Sequence, residues 1–144
     1  MANRDTILLV EDNPDEAELA ELAFKRLDTE FNLQTVPNGE EALDYLFASG
    51  RYANRPEERK PGLILLDINL PQISGFDVLR TLRASSSYSL TPIAFLTTSD
   101  ERDDIVQGYE LGVNSYLRKP LDFDGFAQLL QAVSNYWLRL NTRI

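Results

Sequence analysis

Residues 61–71, Pro61-Gly62-Leu63-Ile64-Leu65-Leu66-Asp67-Ile68-Asn69-Leu70-Pro71, constrain the chain more than any other stretch. Leu63 to Leu66 form a short unbroken apolar run bounded by Gly and Pro. A run of that length and flanking reads as a strand buried on both faces, the kind found in a parallel sheet covered by helices. It ends in a carboxylate, Asp67. A buried charge is expensive unless something pairs with it. Ligands of open α/β sheets bind just outside the carboxyl ends of the strands. Asp67 is therefore the first candidate for chemistry.

Four further strands follow the same logic. Thr6-Ile7-Leu8-Leu9-Val10 ends in Glu11-Asp12-Asn13-Pro14, where Asn13 or Asp12 can cap a helix and Pro14 suits its first turn. That helix is expected to run to about Asp28, with Ala17, Ala20, Phe24 and Leu27 on its apolar stripe. Asn32 to Pro37 reads as an edge strand, Asn38-Gly39 as a turn, and a helix begins at Glu40. Residues 51–62 are polar and unpatterned and read as an exposed connection onto which Tyr52 can fold back. Gly75 opens a helix that Ser85-Ser86-Ser87 breaks. Thr91 to Leu96 is a fourth strand ending at Thr97, and Ser99 or Asp100 caps the helix after it. Val113 to Leu117 is a fifth strand that leads to Lys119-Pro120, and Asp122 caps the last helix. Strands alternating with helices give one parallel sheet with helices on both faces. Right-handed crossovers then favour the doubly wound order 2-1-3-4-5, a flavodoxin-like fold. The expected organisation is a single domain over residues 1–144, with a core at 5–141 and no output domain after it.

Composition narrows the chemistry. With 144 residues, 43% of them hydrophobic, one full core is within reach. A net charge of -9 argues against nucleic acid and anionic lipid as partners of the general surface. The chain has no Cys and no His, which excludes thiolate chemistry, the usual zinc sites and His-based triads. Any metal must take oxygen ligands, which means a hard ion such as Mg2+ or Ca2+. No apolar run is long enough for a membrane span or signal peptide, so the cytoplasm is the expected location.

In the 2-1-3-4-5 order, Glu11, Asp12, Asp67, Thr97 and Lys119 converge on one cleft. Several carboxylates with one ammonium stay net negative and repel unless a cation intervenes. Mg2+ suits such a site, and the Asn69 carbonyl could add a ligand. Asp67 is then a nucleophile able to form an acyl phosphate, with Thr97 and Lys119 available to the equatorial oxygens. Taken singly, each residue also has an ordinary reading as a cap, a turn former or a solvated loop lysine. Their conjunction at one edge is what points to chemistry.

The motifs Val10-Glu11-Asp12-Asn13, Asp67-Ile68-Asn69-Leu70-Pro71 with Gly75, Leu96-Thr97-Thr98-Ser99 after Pro92, and Tyr116-Leu117-Arg118-Lys119-Pro120 together resemble a bacterial response-regulator receiver domain. Asp67 precedes Thr97 by 30 residues and Lys119 by 52, the spacing of compact members. The resemblance implies phosphorylation at Asp67 by a sensor histidine kinase. It implies Mg2+ held by Glu11, Asp12, Asp67 and the Asn69 carbonyl, with phosphoryl contacts from Thr97 and Lys119. It makes the domain catalyse its own phosphorylation and slow dephosphorylation without being a conventional enzyme. It also implies a cis Lys119–Pro120 bond, and a switch in which Tyr116 swings inward as Thr97 moves, altering the face of helix four, strand five and helix five. The long 51–62 connection and Tyr136-Trp137-Leu138 resemble, within that family, stand-alone regulators partnered with cyanobacterial phytochromes and bacteriophytochromes, which commonly dimerise through helices four and five. Trp137 is then either a dimer anchor or packing for a long last helix.

Rival readings fare worse. A haloacid-dehalogenase-type phosphatase needs a second acid two residues after its nucleophile, and Asn69 stands there. A flavin binder needs a hydroxyl- and glycine-rich phosphate loop after strand one, where this chain has carboxylates. A purely protein-binding, degenerate receiver would not need Asp67, Thr97 and Lys119 intact.

Overall fold

The computed structural model describes residues 4–26 and 30–144. In chain order the elements are β1 (Thr6–Val10), α1 (Pro14–Arg26), β2 (Asn32–Val36), α2 (Gly39–Leu46), β3 (Pro61–Leu66), α3 (Gly75–Arg83), β4 (Ile93–Thr97), α4 (Arg102–Leu111), β5 (Ser115–Arg118) and α5 (Phe123–Asn135). The five strands are all parallel and lie in the order β2-β1-β3-β4-β5, as expected from the alternation. Leu27 and the expected end of α1 near Asp28 lie outside the described residues. Among the described residues, no helix is long and apolar enough to cross a membrane.

The central strands of the sheet are buried on both faces because they are almost wholly apolar, with Thr6 and Thr97 only at strand ends. Successive side chains of a strand point to opposite faces. Leu8, Val10, Ile64, Leu66, Ile93 and Phe95 therefore meet Tyr45, Leu46, Phe76, Leu79 and Leu82 of α2 and α3. Ile7, Leu9, Leu63, Leu65, Ala94 and Leu96 meet Ala20, Ala23 and Phe24 of α1 and Phe126, Leu130 and Val133 of α5.

The helix starts refine the sequence reading. Asn13 caps α1, its Oδ1 accepting from the N–H groups of Asp15 (2.9 Å) and Glu16 (3.3 Å). Asn38 is the cap of α2 rather than part of a free turn, and Ser74 and Asp77 form a reciprocal capping box on α3. Neither Ser99 nor Asp100 caps α4. Glu101 stands at that position without a side-chain bond, and the Ser99 hydroxyl instead donates to Asp104 at 2.6 Å. Gly112 ends α4 in the left-handed region at φ 101°, where a side chain would be strained.

The 51–62 connection is ordered, with single 3₁₀ turns at Gly50–Tyr52 and Glu57–Arg59. Tyr52 folds back edge-on to Tyr45, 5.1 Å between centroids. Arg55 donates to the carbonyls of Tyr45 (2.7 Å) and Leu46 (3.3 Å), and the Tyr45 hydroxyl donates to the Arg59 carbonyl (2.8 Å). Arg83 does similar work at the end of α3. It donates to the carbonyls of Gly112, Tyr88 and Thr91 and to Asn114 Oδ1, all within 2.9 Å. After α5 the chain continues in a π-helical turn, Tyr136–Leu140. Trp137 is half-buried there against the α1–α5 side of the core, with Tyr136 edge-on at 5.0 Å.

Candidate functional site

The carboxyl ends of β1, β3, β4 and β5 bring the expected residues together. Glu11 follows β1 and Asp67 follows β3, only 5% and 8% exposed, because β1 and β3 are neighbours paired from Thr6 to Val10. Asp12 is exposed beside them. Carboxylate oxygens of Glu11, Asp12 and Asp67 lie within 4.8 Å of one another, close enough to hold one metal ion. Asn69 meets Asp67 through its backbone N–H, which donates to Asp67 Oδ1 at 3.2 Å.

Lys119 comes in from the end of β5. Its backbone N–H donates to the Thr97 carbonyl at 2.7 Å, which docks the β5 exit on the β4 exit. Its Nζ donates to Glu11 Oε2 at 2.6 Å and stands 3.7 Å from Asp67 Oδ2. The expected cis Lys119–Pro120 bond is absent: no cis peptide occurs among the described residues. The long lysine side chain reaches Glu11 and Asp67 from a trans peptide, the lower-energy isomer even before proline.

Thr97 is fully buried at the end of β4, its Oγ1 accepting from the Ser99 N–H at 3.3 Å. Tyr116 of β5 is half-buried, its ring edge-on to Phe95 at 6.0 Å and its hydroxyl donating to the Ser99 carbonyl at 2.9 Å. Ser99 thus touches both expected switch residues and, through Asp104, the start of α4.

One participant escaped the sequence reading. Glu16 of α1 accepts from Lys119 Nζ at 2.8 Å. The available signal was its place in the first turn of a helix that starts right after the acidic pair, which returns its carboxylate toward the strand ends.

Burial pushes the Glu11 carboxyl up to about 7, against the pull of the Lys119 ammonium. Burial also works against the Lys119 charge, but the hydrogen bonds it donates to Glu11 and Glu16 outweigh it and hold the ammonium above its usual value. A divalent cation entering the cluster must displace the Glu11 proton. Below the folded value of about 7 that proton competes, and above it the competition ends. Calorimetric titration with a divalent cation is therefore expected to show affinity rising from about pH 5 to about pH 7, by at most about tenfold per unit, and then levelling. Proton release on binding should be large at pH 6 and small at pH 8; equal release at both would overturn the Glu11 assignment.

Comparison with known proteins agrees with this geometry. The family model for the response regulator receiver domain matches residues 7–133. The probable methanogenesis regulatory protein FilR2 of Methanothrix harundinacea is 38% identical over 135 residues, which are 94% of this chain and 84% of that protein. Response regulator Rcp1 of Synechocystis is 35% identical over 136 residues, 94% of this chain and 90% of Rcp1. The Mn2+-bound form of Rcp1 superposes with a TM-score of 0.85 at 34% identity, covering 97% of this chain and 99% of that one. The phosphorylated cyanobacterial phytochrome response regulator RcpA does so at 0.87, also with 34% identity, covering 96% and 97%. A match running from β1 into α5, over a sheet of the same order and an acidic cluster able to hold a divalent metal, makes this chain a member of the response-regulator receiver family, the phosphoacceptor side of two-component signalling.

Proposed function

We propose that Asp67 is the phosphoacceptor, and that residues 5–141 act as one receiver unit charged by a sensor histidine kinase. The observation that carries this is the position of the Asp67 carboxylate. It is nearly buried at the end of β3, with the Lys119 ammonium 3.7 Å from Oδ2 and the Glu11 and Asp12 carboxylates within 4.8 Å.

In this reading an Asp67 oxygen attacks the phosphorus of a phosphohistidine. The new P–O bond forms as the P–N bond breaks and the imidazole leaves. Lys119 donates to one equatorial oxygen and the Thr97 hydroxyl to another, both from a site that excludes most water. The Asn69 N–H steadies the Asp67 oxygen that does not attack. The oxygen-only donor set fits a hard divalent ion, and Glu11, Asp12, Asp67 and the Asn69 carbonyl are the groups that would hold Mg2+. Bound there, Mg2+ would neutralise charge building on the phosphoryl oxygens.

Turning the Thr97 hydroxyl toward a phosphoryl group costs its contact with the Ser99 N–H, so the loop that also holds Tyr116 must readjust. Output then appears on the face of α4, β5 and α5, a shift of populations driven by the new charge. We place homodimerisation on that face, where Val106 and Tyr109 of α4 are exposed apolar side chains. A phytochrome-type kinase is the proposed partner, supported by the likeness to RcpA, which is described as a phytochrome response regulator. The cytoplasm, where ATP charges such kinases, is the proposed location.

Intact-mass measurement after mixing with acetyl phosphate tests the reading. One phosphoryl group is expected on the wild type in Mg2+, little or none in EDTA, and none on Asp67→Asn. An adduct that persists on Asp67→Asn, or none on wild type under rapid acid quench, would overturn it.

A further inference from the structure

Lys119 has a partner that phosphoryl transfer does not use. An ammonium has three N–H donors. Two of them go to carboxylates, Glu11 Oε2 at 2.6 Å and Glu16 Oε2 at 2.8 Å, while Asp67 Oδ2 stands farther off at 3.7 Å. Glu16 lies outside the Glu11–Asp12–Asp67 cluster that can hold a metal. Its place is well fixed, because its backbone N–H is one of the two bound by the Asn13 cap.

We propose that Glu16 is a positioning residue that holds Lys119 in a waiting posture and is the partner Lys119 releases when Asp67 becomes phosphorylated. This rests on Asp67 being the phosphoacceptor. The choice between the two glutamates follows from burial. The Glu11 side chain is 4% exposed and stays within the buried cluster that would hold the metal, so it has no route into water. The Glu16 side chain is already 35% exposed and can turn into water at little cost. The phosphoryl group brings strong oxygen acceptors to Asp67, and Lys119 exchanges the Glu16 bond for one of them. With acetyl phosphate as donor, the bond from phosphorus to the acetate oxygen breaks, a bond from phosphorus to an Asp67 oxygen forms, and acetate leaves with the electron pair. Lys119 keeps its proton throughout; only its hydrogen-bond partner changes. Glu16 therefore stabilises the unphosphorylated state and slows its conversion.

The test is the rate of phosphorylation by acetyl phosphate at saturating Mg2+, read by intact mass. Glu16→Ala is expected to react about three- to tenfold faster than wild type, the share of one partly exposed charge-assisted bond. Glu16→Gln, which keeps a neutral acceptor, should fall between them. Glu18→Gln is the control. It removes the same charge from the same helix but neither bonds Lys119 nor lines the pocket that Glu16 and Lys119 share, and should keep the wild-type rate. The Lys119 Nζ resonance should shift on phosphorylation in wild type and shift less in Glu16→Ala. Equal rates for Glu16→Ala and wild type overturn the proposal, as does an equal acceleration by Glu18→Gln, which would mean simple repulsion of an anionic donor. If wild type accepts no phosphoryl group, the phosphoacceptor reading falls with it; if wild type is phosphorylated and Glu16→Ala matches it, this inference alone falls.

Discussion

Gly75→Ala is expected to destabilise the protein by about 3 kcal/mol or more and to remove divalent-ion binding and phosphoryl uptake with it. The cause is a contact between backbones. A Cβ on Gly75 would lie 2.2 Å from the Asp67 carbonyl oxygen, 2.8 Å from Ile68 Cα and 3.0 Å from the Asp67 carbonyl carbon. No side-chain rotamer can relieve those distances. The first turn of α3 must move away from the end of β3, which breaks the bond from the Gly75 N–H to the Ile68 carbonyl (2.9 Å). The backbone that this turn presses on is that of Asp67 itself, so the strain falls on the residue that bears the site carboxylate. The matched control is Ser74→Ala, which removes the capping box next door, costs about 1 kcal/mol and leaves the Asp67 backbone in place. Urea unfolding with and without Mg2+ separates the two. Ser74→Ala should keep its Mg2+ stabilisation, and Gly75→Ala should lose it even in conditions where it remains folded. A Gly75→Ala protein with a wild-type midpoint and a wild-type response to Mg2+ would show that the α3–β3 approach does not position the site.

That contrast also separates what was legible in the sequence from what was not. Leu63 to Leu66 ending in Asp67, and Ile7 to Val10 ending in Glu11, could be read because burial on both faces leaves a local mark: an apolar run that stops at a charge. Alternation with helices then set the sheet order, and the order set the cleft. Asn13 and Asp122 have equally local signatures, since a cap and its N–H partners are a few residues apart. Glu16 offered only its place in the first turn of α1, because its partner Lys119 lies 103 residues away. Arg83 was likewise silent: a basic residue in the last turn of a helix looks solvated, yet its guanidinium joins the loops at Tyr88, Thr91 and Gly112. The Tyr88 hydroxyl, which donates to the Leu46 carbonyl across the fold, is another case. The expected Lys119–Pro120 isomer came from likeness to a family rather than from residues in this chain, and the structure corrected it, as it corrected the Ser99 or Asp100 cap of α4.

Lys119→Met should change three properties together, and the direction of each follows from one charge. Phosphoryl uptake is expected to fall by about a hundredfold or more, the usual effect of removing one donor aimed at developing charge. Stability in EDTA should fall by about 3 kcal/mol, because Glu11 and Asp67 stay buried after their cation is gone. That loss should be greater at pH 8 than at pH 6. The Glu11 carboxyl, already pushed up to about 7 by burial, loses the ammonium that opposed the shift, so at the lower pH a proton can take the place of the missing charge. Mg2+ affinity should move the other way and tighten by about tenfold or more, since the incoming ion no longer meets an ammonium held 2.6 Å from Glu11. Mg2+ should therefore raise the melting temperature of Lys119→Met more than that of wild type, most clearly at pH 8. Thermal melts at the two pH values, with EDTA and with Mg2+, measure all of this on one protein pair. Tighter Mg2+ binding together with lost phosphoryl uptake would separate Lys119's two parts, counter-ion of the empty cluster and donor to the phosphoryl group. Weaker Mg2+ binding in the variant would instead mean that Lys119 orders the carboxylates for the ion, and the view of ammonium and metal as competitors would be wrong.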